Sequence, residues 1–114
     1  MTRDPRMYLR DMLDACRFLL DFTAGKSMTD YKTDRGFRSA VERELQIIGE
    51  ALLQLDECAP DLAASITEHD PIIHFRHVLV HGYHSLKPRL VWDVIEKKLP
   101  VLRVELERLL PDAQ

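Results

Sequence analysis

The chain has 114 residues, 46% of them hydrophobic, with 16 Lys and Arg against 19 Asp and Glu for a formal charge of −3. That length supports one core and leaves no room for a second, so a single domain over residues 1–114 is expected. The net acidity excludes a surface coated in positive charge for indiscriminate nucleic-acid binding. Two isolated cysteines, Cys16 and Cys58, exclude a disulfide framework or a thiolate metal cage, and both read as small buried hydrophobes. No apolar run approaches the roughly 20 residues that cross a bilayer, and Arg3, Asp4, Arg6, Arg10 and Asp11 stand where a signal peptide would be apolar. A soluble, cytoplasmic protein without membrane contact is the expectation.

Four glycines, six prolines near plausible helix ends and no sustained β-branched alternation predict an all-α fold. Asp4 as cap and Pro5 at the first position open a first helix, with Tyr8, Met12, Ala15, Leu19 and Phe22 as its apolar stripe and Gly25 as its stop. Ser27 and Asp30 have capping-box spacing for a short helical turn. The second long helix is predicted from about Asp34 to Cys58, striped by Phe37, Val41, Leu45, Ile48, Leu52 and Leu55 and ended by Ala59-Pro60. Gly49 inside it costs roughly 1 kcal/mol against Ala, which predicts a close backbone approach there. Glu50 beside it reads either as an exposed acid or as a partly buried carboxylate near a site.

After a short segment, Asp61 to Ile66, Asp70 as cap and Pro71 at the first position predict a third major helix ending at Gly82. Lys87-Pro88 opens the last, carrying Leu90, Val94, Leu99, Leu102, Leu106 and Leu109, with a kink or brief break expected at Pro100.

The helix before Gly82 carries the chemistry. Ile72, Phe75, Val78 and Leu79 share one side while Ile73 and Val80 lie on another around Arg76, so the helix is apolar on most sides. In so small a chain the extra burial is most readily supplied by a second copy, which makes a homodimer the expectation. His74, His77, His81 and His84 step by three, four and three, a spacing that suits zinc or nickel, yet no acid or thiolate joins them on this helix. A solvated or hydrogen-bonded row is the plainer reading, with neither metal nor cofactor expected.

Arg76 and His81 supply a phosphate-binding cation and a group that moves protons near neutral pH. Five residues apart, they sit about 140° around an ideal helix and do not converge. Either the helix unwinds before Gly82, or a two-fold axis brings Arg76 and His81 from different subunits together. Against a catalytic pair stands a structural Arg76, ion-paired to acids of the second helix. From His74 to Lys98 the local balance is +3, and from Asp34 to Asp61 it is −4, which predicts a compact basic site on an acidic body. Lys87 and Arg89 are candidates to extend phosphate contact, or are solvated charges at a helix start.

The pattern Arg76-x4-His81, with Tyr83 two residues on, resembles the HepT-like branch of the HEPN superfamily. Residues Ala40 to Ala51 resemble that family's second-helix signature, and Val91-Trp92 and Leu99-Pro100 are similar to its last helix. The resemblance implies a HEPN-like four- or five-helix bundle that dimerises through the motif helix. It implies a metal-independent endoribonuclease toxin that uses the RNA 2′-hydroxyl as nucleophile, with Arg76 and His81 as catalytic residues. It also implies an MntA-type nucleotidyltransferase antitoxin that transfers AMP to Tyr83. The residue after the motif arginine is often Asn in the family and is His77 here, a candidate supporting donor, as Glu50 is a candidate supporting acid. A reading from another class is a noncatalytic helical subunit that holds nucleotide or substrate for a nucleotidyltransferase.

Overall fold

The computed structural model describes residues 3–82 and 86–111. Within them the elements are α1 (Pro5–Phe22), α2 (Met28–Thr33), α3 (Arg35–Cys58), α4 (Pro60–Ala64), α5 (His69–His81), α6 (Pro88–Asp93), a π-helical turn (Val94–Lys98) and α7 (Leu99–Leu109). No strand occurs among the described residues, and the fold is an all-α bundle of the HEPN-like kind.

Side-chain caps mark the starts of α1, α2 and α3. The Asp4 carboxylate accepts from the Arg6 amide, with Pro5 at the position whose N–H would have no partner. Ser27 and Asp30 cap α2 reciprocally, and Asp34 accepts from the Phe37 amide at the start of α3. Two ends differ from expectation. α1 stops at Phe22, before Gly25, and Gly25 then takes the left-handed backbone (φ 76°) that turns the chain toward α2. α5 starts two residues early, with Glu68 at its cap, so Asp70 is not the cap and Pro71 is not the first helical residue. Pro71 is tolerated because the first-turn amides have no intrahelical acceptor, and Asp70 is engaged by the His69 ring instead.

α3 is the central helix: α1 lies along one side of it and α5 along another, while α7 packs on α1. The core joins Leu9, Met12, Leu13 and Leu19 of α1 to Val41, Leu45, Ile48, Leu52 and Leu55 of α3, with Leu99, Leu102 and Leu106 of α7 closing it. Each such leucine removed from water contributes about 1.5–3 kcal/mol before the entropy of ordering it. Every residue of the predicted α3 stripe is buried.

The stripe before α7 is not the one expected. Val91, Trp92 and Ile95 are buried, while Leu90 is 44% exposed and Val94 only half-buried. Val91, Trp92 and Ile95 stand eight, seven and four residues before Leu99, which is ordinary helical spacing, whereas Val94 and Leu90 stand five and nine before it and fall off that face. A π turn also lies here, in which the Leu99 amide bonds the Val94 carbonyl five residues back. The break expected at Pro100 is this π turn immediately before it. Phe22, also predicted inside, lies on the rim of the core, stacked between Phe18 and Phe37. Cys16 is buried and Cys58 half-buried.

Candidate active site on the α3–α5 face

α5 crosses α3 at Gly49. A Cβ built on Gly49 would lie 2.3 Å from Cβ and 2.7 Å from Cγ of Arg76, so only the missing side chain lets the two helices meet at this distance. The close approach predicted from an interrupting glycine is therefore real, and its other party is Arg76. Ile72, Phe75 and Leu79 fasten α5 to the core on the same side of the helix.

Packed against Gly49 at its base, the Arg76 side chain extends to the surface, where Nη2 donates to Glu50 Oε2 at 2.7 Å. The Arg76 side chain is 24% exposed and that of Glu50 50%. Glu50 is thus an exposed acid and also the partner of Arg76, so both sequence readings of it apply in part. An ion pair with the second long helix was the structural alternative for Arg76, and it forms. It leaves further guanidinium N–H groups free of Glu50, since arginine carries five donors.

His81 is the last residue of α5, exposed, with its ring 4.8 Å from that of His77 and inclined 47° to it. Helical geometry holds without interruption from Arg76 to His81, and Gly82 only caps it, its amide bonding the Val78 carbonyl. Unwinding between the two motif residues does not occur, because the carbonyls of this turn keep their ordinary amide partners. Within one chain Arg76 points toward α3 while His81 follows His77 on a solvent face. His74 is exposed as well, and Tyr83 and His84 lie outside the described residues. Among the described residues no group of three His, Cys, Asp or Glu side chains gathers around a space fit for a metal ion.

The segment predicted to form a basic site is largely neutralised. Arg89 pairs with Asp93 at 3.6 Å, and Lys98 pairs with Glu68 at 3.2 Å across to the start of α5. Lys87 is exposed at the start of α6. The sequence reading also missed His69, whose Nε2 lies 3.0 Å from Asp56 Oδ1 and Nδ1 2.7 Å from Asp70 Oδ1. It ties the start of α5 to the end of α3. Burial disfavours its charged form, but hydrogen bonds and charge from Asp70 and Asp56 outweigh this and raise its pKa above 6.5. His69 stands thirteen positions after Asp56 with a short helix between them, and no local spacing announces the contact.

A family model described as Ribonuclease HepT-like matches residues 12–109, which include α3, α5 and the Gly49–Arg76 crossing. The chain belongs to the HepT-like ribonuclease family. A putative RNase of Caldanaerobacter subterraneus subsp. tengcongensis is 31% identical over 108 residues, covering 95% of this chain and 96% of that protein. A probable ribonuclease HepT of Thermococcus cleftensis is 28% identical over 109 residues, covering 96% and 98%. No solved structure matches. Membership places the chain among the endoribonucleases, as the motif resemblance implied. No helix among the described residues is long and apolar enough to cross a membrane.

Proposed function

We propose that this chain is the toxin of a toxin–antitoxin pair: a cytoplasmic, homodimeric, metal-independent endoribonuclease with Arg76 and His81 at its centre. The observation that carries the reading is the Arg76 guanidinium, held in place over Gly49 by Glu50 yet open to solvent on one side. A cation anchored in that way stabilises charge on a phosphate without reorganising. His81 takes the proton of the RNA 2′-hydroxyl as general base, or returns one to the departing 5′-oxygen as general acid. The 2′-oxygen forms a bond to phosphorus as the bond to the 5′-oxygen breaks, leaving a 2′,3′-cyclic phosphate and a 5′-hydroxyl. DNA, which lacks that hydroxyl, is not a substrate.

Because Arg76 and His81 diverge on one uninterrupted helix, the reading includes a second copy whose α5 faces the first, bringing Arg76 of one subunit to His81 of the other. Val80, 44% exposed on α5, supports this as an apolar side chain available to a facing helix. His77, beside His81, serves as a further donor to phosphate. Control comes from an MntA-type nucleotidyltransferase antitoxin that transfers AMP to Tyr83, adding negative charge and bulk beside the motif.

The test is cleavage of single-stranded RNA by purified protein in EDTA, comparing wild type with His81→Ala and Arg76→Ala. Loss of cleavage in both, with retained helicity and cyclic-phosphate ends on wild-type products, is expected. Unchanged cleavage in His81→Ala refutes the mechanism. Mixing the two inactive variants is expected to restore part of the activity if the site is shared between subunits.

A further inference from the structure

An endonuclease cuts within a strand, so RNA must leave the reacting phosphate in two directions over protein surface. A groove of about 330 Å³ between α1 and α3 has Glu50 in its wall, and Glu50 is the partner of Arg76, so the groove opens beside the proposed centre. Arg43, Ile47, Glu50 and Gln54 form its α3 wall at helical spacing, and Arg3, Tyr8 and Asp11 form the other. From Arg43 to Gln54 is eleven residues of helix, about 16 Å at 1.5 Å per residue.

A second groove, of about 440 Å³, shares Arg3 and Asp11 with the first and continues past Arg6 and Arg10 toward the end of α7. Together the two present Arg3, Arg6, Arg10 and Arg43 against Asp4, Asp11 and Glu50, and with Arg76 the count is five cations to three anions, or +2. The whole chain carries −3, so these grooves are basic relative to the chain as a whole. The cations differ in availability. Arg3 is paired to Asp11 and Arg6 to Asp4, while Arg10 and Arg43, both exposed, have no carboxylate within 4 Å among the described residues.

Resting on the ribonuclease reading, we infer that the α1–α3 groove and its continuation along the second groove are the path of the RNA flanking the cut, with Arg43 in the first and Arg10 in the second binding its phosphates. The guanidinium fork suits phosphate oxygens. The Gln54 amide offers a donor and an acceptor to a base edge, and Ile47 gives apolar surface between the charges, while the Tyr8 ring is buried beneath the Arg3 guanidinium. Arg10 on α1 and Arg43 on α3 lie outside the His74–Lys98 segment in which linear charge counting places a basic site.

Steady-state cleavage is measured for a single-stranded oligoribonucleotide long enough to fill the groove and for a dinucleotide spanning only the cut, using wild type and Arg10→Gln/Arg43→Gln. The expected result is a KM for the oligonucleotide raised roughly three- to tenfold per arginine, with kcat and dinucleotide cleavage little changed. The salt dependence of log KM is expected to flatten by about 0.7 for each arginine that binds phosphate. An unchanged KM and salt slope in a variant that cleaves normally overturns the groove while leaving the ribonuclease reading intact. An unchanged KM with loss of complex formation with the nucleotidyltransferase overturns it in favour of a protein interface. A wild type that neither binds nor cleaves either RNA overturns the ribonuclease reading and the groove with it.

Discussion

Gly49 and Arg76 are the contact on which the site is built: the position of the guanidinium depends on a side chain that is absent from the facing helix. Gly49→Ala would place a methyl carbon 2.3 Å from Arg76 Cβ, which is too near the backbone to swing aside. Alanine at an interior helix position gains up to about 1 kcal/mol, while overpacking costs roughly 1–3 kcal/mol, so a net loss is expected. A melting temperature lower by several degrees checks it, at about 4–8 °C per kcal/mol for a chain near this size. Gly36→Ala is the control, since its Cβ would meet only the Asp34 carboxylate at 3.5 Å, and its expected effect is neutral or slightly stabilising.

Glu50 is expected to matter more to rate than to stability. Its pair with Arg76 is half open to solvent on the carboxylate side, and exposed pairs contribute about 0.2–1 kcal/mol. Glu50→Ala should therefore melt close to wild type while turnover falls, because an untethered arginine samples several rotamers and is not preorganised for phosphate. Glu50→Gln keeps an acceptor for Nη2 and should retain intermediate turnover. Equal turnover in all three proteins would remove Glu50 from the mechanism.

Much of this was readable in the sequence because the signals were local. Asp4-Pro5, Ser27 to Asp30 and Ala59-Pro60 each fix a helix end with neighbours a few residues away, and the α3 stripe follows from one period. Gly49 announced a close approach because glycine inside a helix is costly without one. Leu90 and Val94 fall off the buried face because they stand nine and five residues before Leu99, and Asp70 is not a cap because the His69 ring, held by Asp56 across the α3–α5 junction, engages it. Charge counting along the chain put the basic site on residues 74–98, where Asp93 and Glu68 reach Arg89 and Lys98 in the folded state. The divergence of Arg76 and His81 was legible, while its resolution within one chain by unwinding was not realised.

His69 should make stability pH-dependent through the α3–α5 junction. Its side chain is 19% exposed and lies between Asp56 and Asp70, so protonation strengthens both contacts and its folded pKa is raised. A raised folded pKa means that the stabilisation is fully present below the unfolded value near 6.5 and is lost as pH rises through the folded value. The melting-temperature difference between wild type and His69→Gln is thus expected to be largest in mildly acidic buffer and to shrink in alkaline buffer. A difference that stays constant across that range would assign His69 a packing role only.

Cys16 and Cys58 should separate under a thiol reagent. The Cys16 thiol is buried and donates to the Leu99 carbonyl at 3.3 Å, and burial pushes its pKa up to about 12. The thiolate is the reactive form, so Cys16 is deprived of both access and ionisation at mildly alkaline pH. Cys58, half-buried at the end of α3, is the more accessible of the two. Iodoacetamide on the native protein should add one carbamidomethyl group, at Cys58, and a second only in denaturant, with intact mass and peptide mapping as the readout. Because Cys16 lies where α1 meets the start of α7 behind the π turn, its labelling rate also reports local opening of that joint. Rapid native labelling of Cys16 would mean that α7 separates from α1 far more readily than the packing of Leu99, Leu102 and Leu106 allows.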